Sequence, residues 1–226
     1  MIGTSVRRAL FGVGLRAAWR GVWRRVSFHP PPQIGTPDPF DLDRGIDTAG
    51  FYSWRALRSG QTSDPYNAGY LPAEPAAVQE LLSRVRNPAA YTFLDLGCGK
   101  GRVLALAAEA GFQRIIGVEI NPALAAIARQ NTARLGSSAK IEIWNTDAAA
   151  VALPREPLAL FLNHPFWKPV MERVAANLER SLSEAPRPVF VLYLNPMLAE
   201  LLEQIHALER VQSGAAGMLW RTRVAT

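Results

Sequence analysis

The strongest signal in the sequence is the stretch Phe93-Leu-Asp95-Leu-Gly97-Cys-Gly99-Lys-Gly101-Arg102. It starts as an apolar run typical of a short buried strand and passes through three alternating glycines into a predicted helix. Glycine has no Cβ atom, so the backbone can turn sharply there and pass close to a ligand. A second predicted strand ends at Glu119, in the β/α unit that follows Gly97. At that separation nucleotide-binding α/β folds offer a carboxylate to a ribose, so the pattern predicts a nucleoside-cofactor pocket.

The glycine spacing disfavours a dinucleotide. A dinucleotide loop reads Gly-x-Gly-x-x-Gly and seats a pyrophosphate on a helix N-terminus. Here the spacing is Gly-x-Gly-x-Gly, and Arg102 stands where the third glycine would fall. Asp95 lies within the motif and suits a ligand with a positive group. S-adenosylmethionine has an amino group, a sulfonium, a ribose and an adenine, and it has no phosphate. The alternative interpretation is a tight strand-to-helix turn without a ligand.

The pattern Asp-x-Gly-x-Gly-x-Gly at residues 95–101 resembles motif I of the class I S-adenosylmethionine-dependent methyltransferases, and the resemblance covers roughly residues 65–226. It implies S-adenosyl-L-methionine as the cofactor and the following residues as its binding site: Tyr70, Asp95, Gly97, Cys98, Gly99, Gly101, Glu119, Ile120, Asp147 and Asn163. In this family an acid at the position of Asp147 often accepts the adenine amino group. Tyr70-Leu-Pro72 resembles a cofactor-covering loop of methyltransferases related to lysine-methylating enzymes, the alternative being a helix-starting turn.

A second motif, Asn163-His164-Pro165-Phe166, follows the predicted fourth strand. It resembles motif IV of amino-methylating enzymes, usually Asn or Asp, Pro, Pro, then Tyr or Phe, with His164 in place of the first proline. Methyl transfer needs the acceptor lone pair aligned with the sulfonium methyl, and an Asn oxygen can aim an amine by accepting its N–H. An aromatic face can hold the developing cation. These four residues are the predicted catalytic set, in which His164 acts either as a base or as a turn residue.

Strands and helices alternate from residue 75 onward, which predicts a Rossmann-like, doubly wound α/β fold. We expect a seven-stranded, mostly parallel sheet with a C-terminal antiparallel hairpin around residues 214–217. The helix after the fifth strand is predicted to run to about residue 207, and Lys100 and Arg102 are predicted to face solvent. In such a sheet the ends of strands one and four meet at one crevice, so the two motifs should converge there.

The basic character of the chain belongs to residues 1–30. This stretch contains six arginines and no acid, and the remainder of the chain is formally neutral. A neutral domain disfavours specific nucleic-acid binding. Residues 1–28 predict a basic amphipathic helix with tryptophans, whose alternatives are an anionic membrane surface, a docked or partner helix, and disorder. With one cysteine and three scattered histidines, we expect no disulfide framework and no metal site.

Three units follow from these patterns. Residues 1–28 are the basic helix, residues 29–64 a Pro-rich linker and cap segment, and residues 65–226 the methyltransferase domain. No apolar run is long enough to span a membrane, so we expect a cytoplasmic protein, with peripheral membrane attachment through residues 1–28 as one alternative.

The methyl acceptor is unidentified, and an amine nitrogen of a protein or small molecule fits motif IV best. The competing functions are a nicotinamide-dependent oxidoreductase and a non-catalytic membrane-associated protein that keeps a cofactor pocket. Segment 41–49, together with Tyr70 and Asn163-His164-Pro165-Phe166, also resembles a group of bacterial proteins of this class, and this resemblance does not identify an acceptor.

Overall fold

The computed structural model describes residues 38–214 and 217–223, in which a seven-stranded sheet has the order β3-β2-β1-β4-β5-β7-β6. The strands are β1 (Thr92–Leu96), β2 (Arg114–Val118), β3 (Lys140–Trp144), β4 (Leu158–Asn163), β5 (Val189–Leu194), β6 (Leu208–Ser213) and β7 (Gly217–Thr222). The α-helices are α1 (Pro39–Arg44), α2 (Pro75–Leu82), α3 (Arg102–Glu109), α4 (Pro122–Arg134), α5 (Lys168–Glu184) and α6 (Ala199–Glu203). Strands β1 to β5 pair in parallel, and β7 pairs antiparallel with both β5 and β6.

The central strands are buried on both faces, as expected for a parallel sheet covered by helices. Every residue of β1 is buried. Because side chains alternate across a strand, Leu94 and Leu96 pack on the side of α5, while Phe93 packs on the side of α2 and α3. Asp95 has the same parity as Phe93. Its carboxyl group is therefore directed to the α3 side of the sheet, which is where the glycine loop begins.

The predicted sheet is confirmed in strand number, direction and the C-terminal hairpin. The helix after β5 is an exception, because α6 ends at Glu203 rather than running to about residue 207. Ile205 and Leu208 are drawn into the core beside Trp220, and β6 starts at Leu208. Burial of these side chains in the sheet layer ends the helix early.

Residues 38–74, here named the cap segment, form α1, turns and a 3-10 helix at Asp64–Tyr66. Asp38 caps α1 by accepting the N–H of Phe40 at 2.9 Å. The Asp41 carboxylate accepts three hydrogen bonds from Thr48 and Ala49, at 2.5 to 2.7 Å. These contacts fold the segment back on itself, so that it can cover the loop that follows β1.

The prediction that Lys100 and Arg102 face solvent is wrong. Their exposed fractions are 2% and 6%. The Lys100 ammonium donates to Asp47 at 2.9 Å and to the Ala49 carbonyl at 2.8 Å. Because a buried charge needs partners, these acidic and carbonyl groups explain why the cap segment lies over the glycine loop.

Arg102 binds more residues of the cap segment than Lys100 does. Its Nε donates to Thr48 Oγ1 at 2.7 Å, and its guanidinium forms ion pairs with Asp38 and Asp41. It also donates to the Ala73 carbonyl at 3.5 Å. One side chain at the start of α3 thus holds both ends of the cap segment.

The predicted basic helix over residues 1–28 lies outside the described residues. Within the part of the chain that the structure describes, no helix is long and apolar enough to cross a membrane. The proposed boundaries of the three units stay predictions.

Candidate active site

A crevice opens at the carboxyl ends of β1 and β4. Strands β1 and β4 are neighbours, and β2 and β5 flank them. The crevice is lined by the glycine loop, the ends of β2 and β4, and the cap segment. The two sequence motifs do converge on one edge of the sheet, as predicted.

The glycine loop is in van der Waals contact with the two segments facing it. Gly97 and Gly99 have φ values of 88° and 54°, in the left-handed region that favours glycine. A Cβ atom on Gly97 would lie 2.7 Å from the Cβ of Pro165, and one on Gly99 would overlap the ring of Tyr70. The structure therefore places Tyr70 and Pro165 directly against the predicted cofactor loop.

Two residues that were predicted to bind the cofactor, Gly101 and Cys98, pack against other parts of the protein. Gly101 does not line the crevice, because it starts α3 with φ of 90° and faces Ala128 of α4. Cys98 borders the crevice, but its sulfur packs against Gly117, where an added Cβ would lie 2.8 Å from it. Burial raises the pKa of the Cys98 thiol. Both residues shape the loop through packing.

Asp95 and Glu119 are buried carboxyl groups at the floor of the crevice, with exposed fractions of 2% and 7%. Burial, together with the nearby charge of Glu119, raises the pKa of Asp95 to about 8. Burial also raises the pKa of Glu119 to about 7, against the opposing effect of backbone N–H donors. Two acids held this way favour a ligand that brings positive charge or hydroxyl donors.

Backbone hydrogen bonds orient Glu119 and the turn after it. Its carboxylate accepts the N–H of Gly99 at 2.9 Å and that of Asn121 at 2.8 Å. Ile120 lines the crevice, and its carbonyl accepts the side-chain amide of Asn145 at 3.0 Å. Glu119 thereby links the end of β2 to the glycine loop, and its predicted role toward a ribose stays a prediction.

Three residues of the strand-four motif line the crevice: Asn163, Pro165 and Phe166. The Pro165 carbonyl accepts the N–H of Ala68 at 2.9 Å, and Phe166 forms a β-bridge with Asn67. The cap segment therefore holds this turn as well as the glycine loop.

His164 does not line the crevice. Its φ of 38° cannot be adopted by proline, whose ring fixes φ at a negative value. Its Nδ1 lies 3.3 Å from the Tyr193 hydroxyl, and its Nε2 is buried without a hydrogen-bond partner. Burial lowers its pKa. The turn therefore differs in backbone conformation from the Asn-Pro-Pro-Tyr pattern, which no sequence comparison of side chains would reveal.

Asp147 follows β3 and borders the crevice, and its carboxylate is hydrogen-bonded to neighbouring residues. Its carboxylate accepts the N–H of Ala149 at 2.9 Å and the Ser63 hydroxyl at 2.6 Å. The Arg173 guanidinium is 3.7 Å away. A carboxylate accepts about four hydrogen bonds, so capacity for one more donor remains.

Several crevice residues were not singled out from the sequence. They come mainly from the cap segment and the start of α4, and they are Trp54, Leu57, Asn67, Ala68, Leu71, Asn121 and Leu124. Among these residues, Asn121 could have been assigned a structural role from the sequence, because Asn before Pro122 is a favoured helix N-cap. The cap residues carry no local pattern, since only tertiary contacts bring them over the crevice.

These features fit S-adenosylmethionine better than a phosphate-bearing dinucleotide. Glu119 would accept the ribose hydroxyls, and Asp95 would face the amino group across the glycine loop. A pyrophosphate at this loop would disfavour ionisation of the two buried carboxyl groups, whereas a cationic amino group would favour it. The fold and the site together are those expected of a class I S-adenosylmethionine-dependent methyltransferase.

Comparison with known proteins agrees with this class. Residues 93–185 match the family described as a methyltransferase domain. The chain is 28% identical over 120 residues to a lysine N-methyltransferase of Xenopus laevis that is named for an ATP synthase component, covering 53% of this chain and 51% of that protein. It is 33% identical over 84 residues to the adenine nucleotide translocase lysine N-methyltransferase of Mus musculus, covering 37% and 36%. The matches thus span about half or less of each curated relative.

A solved structure shows the same fold. A predicted N6-adenine-specific DNA methylase from Listeria monocytogenes aligns with a TM-score of 0.53 at 17% identity, covering 70% of this chain and 56% of that one. The match of residues 93–185 to a methyltransferase domain and the shared fold together support an S-adenosylmethionine-dependent methyltransferase, with S-adenosylmethionine as the methyl-donating cofactor.

The raised carboxyl pKa values predict a pH dependence of stability. Between about pH 4 and pH 8 the folded chain holds protons on Asp95 and Glu119 that the unfolded chain has released, so stability falls as pH rises through this window. When the pH is raised from 5.5 to 8.5, the free energy of unfolding of Asp95→Asn should increase relative to that of wild type. The increase should be at least about 1.4 kcal/mol, the equivalent of one pKa unit. Urea unfolding without cofactor at both pH values measures this. The exposed Asp43→Asn is the matched control, and parallel curves for wild type and Asp95→Asn would contradict the expectation.

Proposed function

We propose that this chain transfers a methyl group from S-adenosylmethionine to an amine nitrogen, and specifically to a lysine side chain of a protein. The observation that supports this most directly is the crevice itself, where Asn163 and Phe166 stand opposite the glycine loop and the buried Asp95 and Glu119. The two relatives named above are both lysine N-methyltransferases, which supports the same acceptor class.

The residues of the crevice divide into two groups by what they can bind. Glu119, Asp95 and the glycine loop offer a carboxylate pair and close backbone approach, which suits the ribose and the amino acid part of the cofactor. Bound S-adenosylmethionine would supply the methyl group, with the electrons of the S–C bond going to sulfur, the lone pair of a neutral amine forming the C–N bond, and one proton then passing from the nitrogen to solvent. Asn163 would accept an amine N–H and aim the lone pair.

Phe166 and His164 have different proposed roles. Phe166 is buried at 5% exposure and lines the crevice, so its ring would border the amine as positive charge develops on it. His164 lies outside the crevice, and its free ring nitrogen is buried. Of its two predicted roles, the turn residue is the better supported, because a base must reach the proton it removes.

Transfer of a labelled methyl group tests the proposal. The chain is incubated with methyl-labelled S-adenosylmethionine and an extract of source cells lacking this chain, and the labelled protein is hydrolysed to amino acids. We expect label in methylated lysine. Label in another amino acid would overturn the lysine assignment, and the absence of any transfer would overturn the enzymatic proposal. A rise in melting temperature with a nicotinamide cofactor in place of S-adenosylhomocysteine would favour an oxidoreductase.

Cofactor binding should depend on Glu119 and should release protons near neutral pH. Glu119→Ala should weaken S-adenosylhomocysteine binding by about 1.5–3 kcal/mol, the value of hydrogen bonds to a charged partner. Because a cationic amino group favours ionised Asp95, whose pKa is about 8 in the free protein, binding should expel protons at pH 7. Calorimetry in two buffers of different ionisation enthalpy measures both quantities. Glu142→Ala on β3 is the control, and unchanged affinity for Glu119→Ala would remove this cofactor site.

A further inference from the structure

The ends of β4 and β5 carry interlocked side chains that the proposed cofactor site does not use. These parallel strands pair with Leu162 opposite Tyr193 and Asn163 opposite Leu194. Each strand is followed by a non-glycine residue at positive φ, His164 at 38° and Asn195 at 51°. Asn87 is the only other one among residues 38–214 and 217–223. Such conformations cost free energy and are retained where the surroundings or the function require them.

The two turns are joined by side chains that cross from one strand end to the other. The amide nitrogen of Asn195 donates to the side-chain oxygen of Asn163 at 2.8 Å. His164 Nδ1 lies 3.3 Å from the hydroxyl of Tyr193. Tyr193 is itself fully buried in the sheet core. The Asn163 turn is therefore braced from the β5 side by two contacts, and only one of them reaches the crevice residue itself.

The contact with Asn195 matters because of the chemistry of an amide side chain. Turning the side-chain amide over exchanges the carbonyl oxygen and the NH2 group of asparagine, and only the oxygen can accept an amine N–H. The oxygen has two lone pairs, one of which the Asn195 donor occupies. A donor on this side keeps the oxygen in place and leaves the second lone pair free. Asn195 does not line the crevice, so it can act there only through Asn163.

We propose that Asn195 is a positioning residue of the methyl-acceptor site, which holds the oxygen of Asn163 toward the incoming amine. This inference rests on the proposed methyl transfer and adds the end of β5 to the site. It accounts for the left-handed conformation of Asn195, which turns the chain after β5 so that the side chain reaches back to β4. The proposed cofactor contacts do not involve Asn195.

Two substitutions at this position separate orientation from folding. Asn195→Gly keeps a residue that favours positive φ and removes the donor. Asn195→Asp puts an acceptor opposite Asn163, so the Asn163 amide should rotate its NH2 group toward it and lose the useful orientation. We expect transfer to fall about tenfold in Asn195→Gly and further in Asn195→Asp, since misplacing an aiming group by about 1 Å can cost on the order of 10²-fold. S-adenosylhomocysteine affinity should stay within about twofold in both.

The closing experiment is a double-mutant cycle with Asn163→Ala, read as labelled methyl-lysine formed from a fixed amount of the same extract. If Asn195 acts through Asn163, Asn195→Gly should have no further effect in the Asn163→Ala background. Asn87→Gly is the matched control, because it relieves the same backbone strain far from the crevice and should transfer at the wild-type rate. Equal rates for wild type and Asn195→Gly, or independent effects of the two substitutions, would overturn the inference. A wild-type chain that transfers nothing would instead overturn the proposed function, and this assignment with it.

Discussion

Arg102→Ala is expected to lower the free energy of unfolding by about 3–5 kcal/mol, the usual cost of removing one partner from a buried ion pair. The guanidinium is 6% exposed and binds Asp38, Asp41 and Thr48. Without it, the Asp41 carboxylate remains buried beside α3 and loses the cation that faces it. Urea unfolding at pH 7 measures the change. The cap segment should also become more open to limited proteolysis, because its anchor to the start of α3 is lost.

Two further variants serve as comparisons for the stability of Arg102→Ala. Arg84→Ala removes an exposed ion pair with Glu80 and should cost at most about 0.5 kcal/mol, as surface pairs do. Arg102→Lys keeps the charge and loses the planar fork of donors, so its stability should fall between wild type and Arg102→Ala. If Arg102→Ala unfolds at the wild-type urea concentration, the buried network does not hold the cap segment.

Asn163→Ala is expected to lower methyl transfer by about 10²-fold or more while leaving cofactor affinity within about threefold. Asn163 lines the crevice at the end of β4, whereas the proposed cofactor contacts are made by Glu119 and the glycine loop. Loss of the aiming oxygen forfeits part of the orientation advantage of a bound acceptor. Single-turnover transfer of labelled methyl to the extract, together with calorimetry of S-adenosylhomocysteine, measures the two quantities.

Asn177→Ala provides the matched control for this prediction. Asn177 donates to the Val151 carbonyl at 2.7 Å from α5, outside the crevice. The Asn177→Ala variant should have a lower free energy of unfolding and should keep the wild-type transfer rate. An Asn163→Ala chain that transfers at the wild-type rate would show that the end of β4 does not aim the acceptor. A loss of cofactor affinity in the same variant would instead support the cofactor-binding role that the sequence also predicted for Asn163.

The sheet and the glycine loop could be predicted from the sequence because their signals are local. Thr92–Leu96 is apolar on both faces of the sheet, apart from Thr92 and Asp95, and the three glycines mark a turn at positive φ, which residues with a Cβ atom adopt rarely. The spacing to Glu119 follows from the length of one helix and one strand. The convergence of Gly97 with Pro165 was also predictable, because the topology of a doubly wound sheet brings the ends of β1 and β4 together.

Hydrogen bonding over long sequence separation was not predictable. Lys100 and Arg102 look like solvent-facing residues at a helix start, and they are buried because Asp47 and Asp38 come from a segment far earlier in the chain. The conformation of His164 was likewise hidden, because a positive φ in a non-glycine residue depends on the packing around the turn. Asn195 carried no motif at all, and only its 2.8 Å contact with Asn163 connects it with the crevice.

The sequence alone was therefore enough to predict the class of fold, the glycine loop and the carboxylate of Glu119 beside it, since each depends on residues close together in the chain or on the fixed order of strands. Tertiary structure decided which polar groups are buried, which carboxyl groups have raised pKa values and which asparagine is oriented by which neighbour. Those properties depend on desolvation and on the distance between atoms from different elements, and both exist only once the cap segment, β4 and β5 are packed around one crevice.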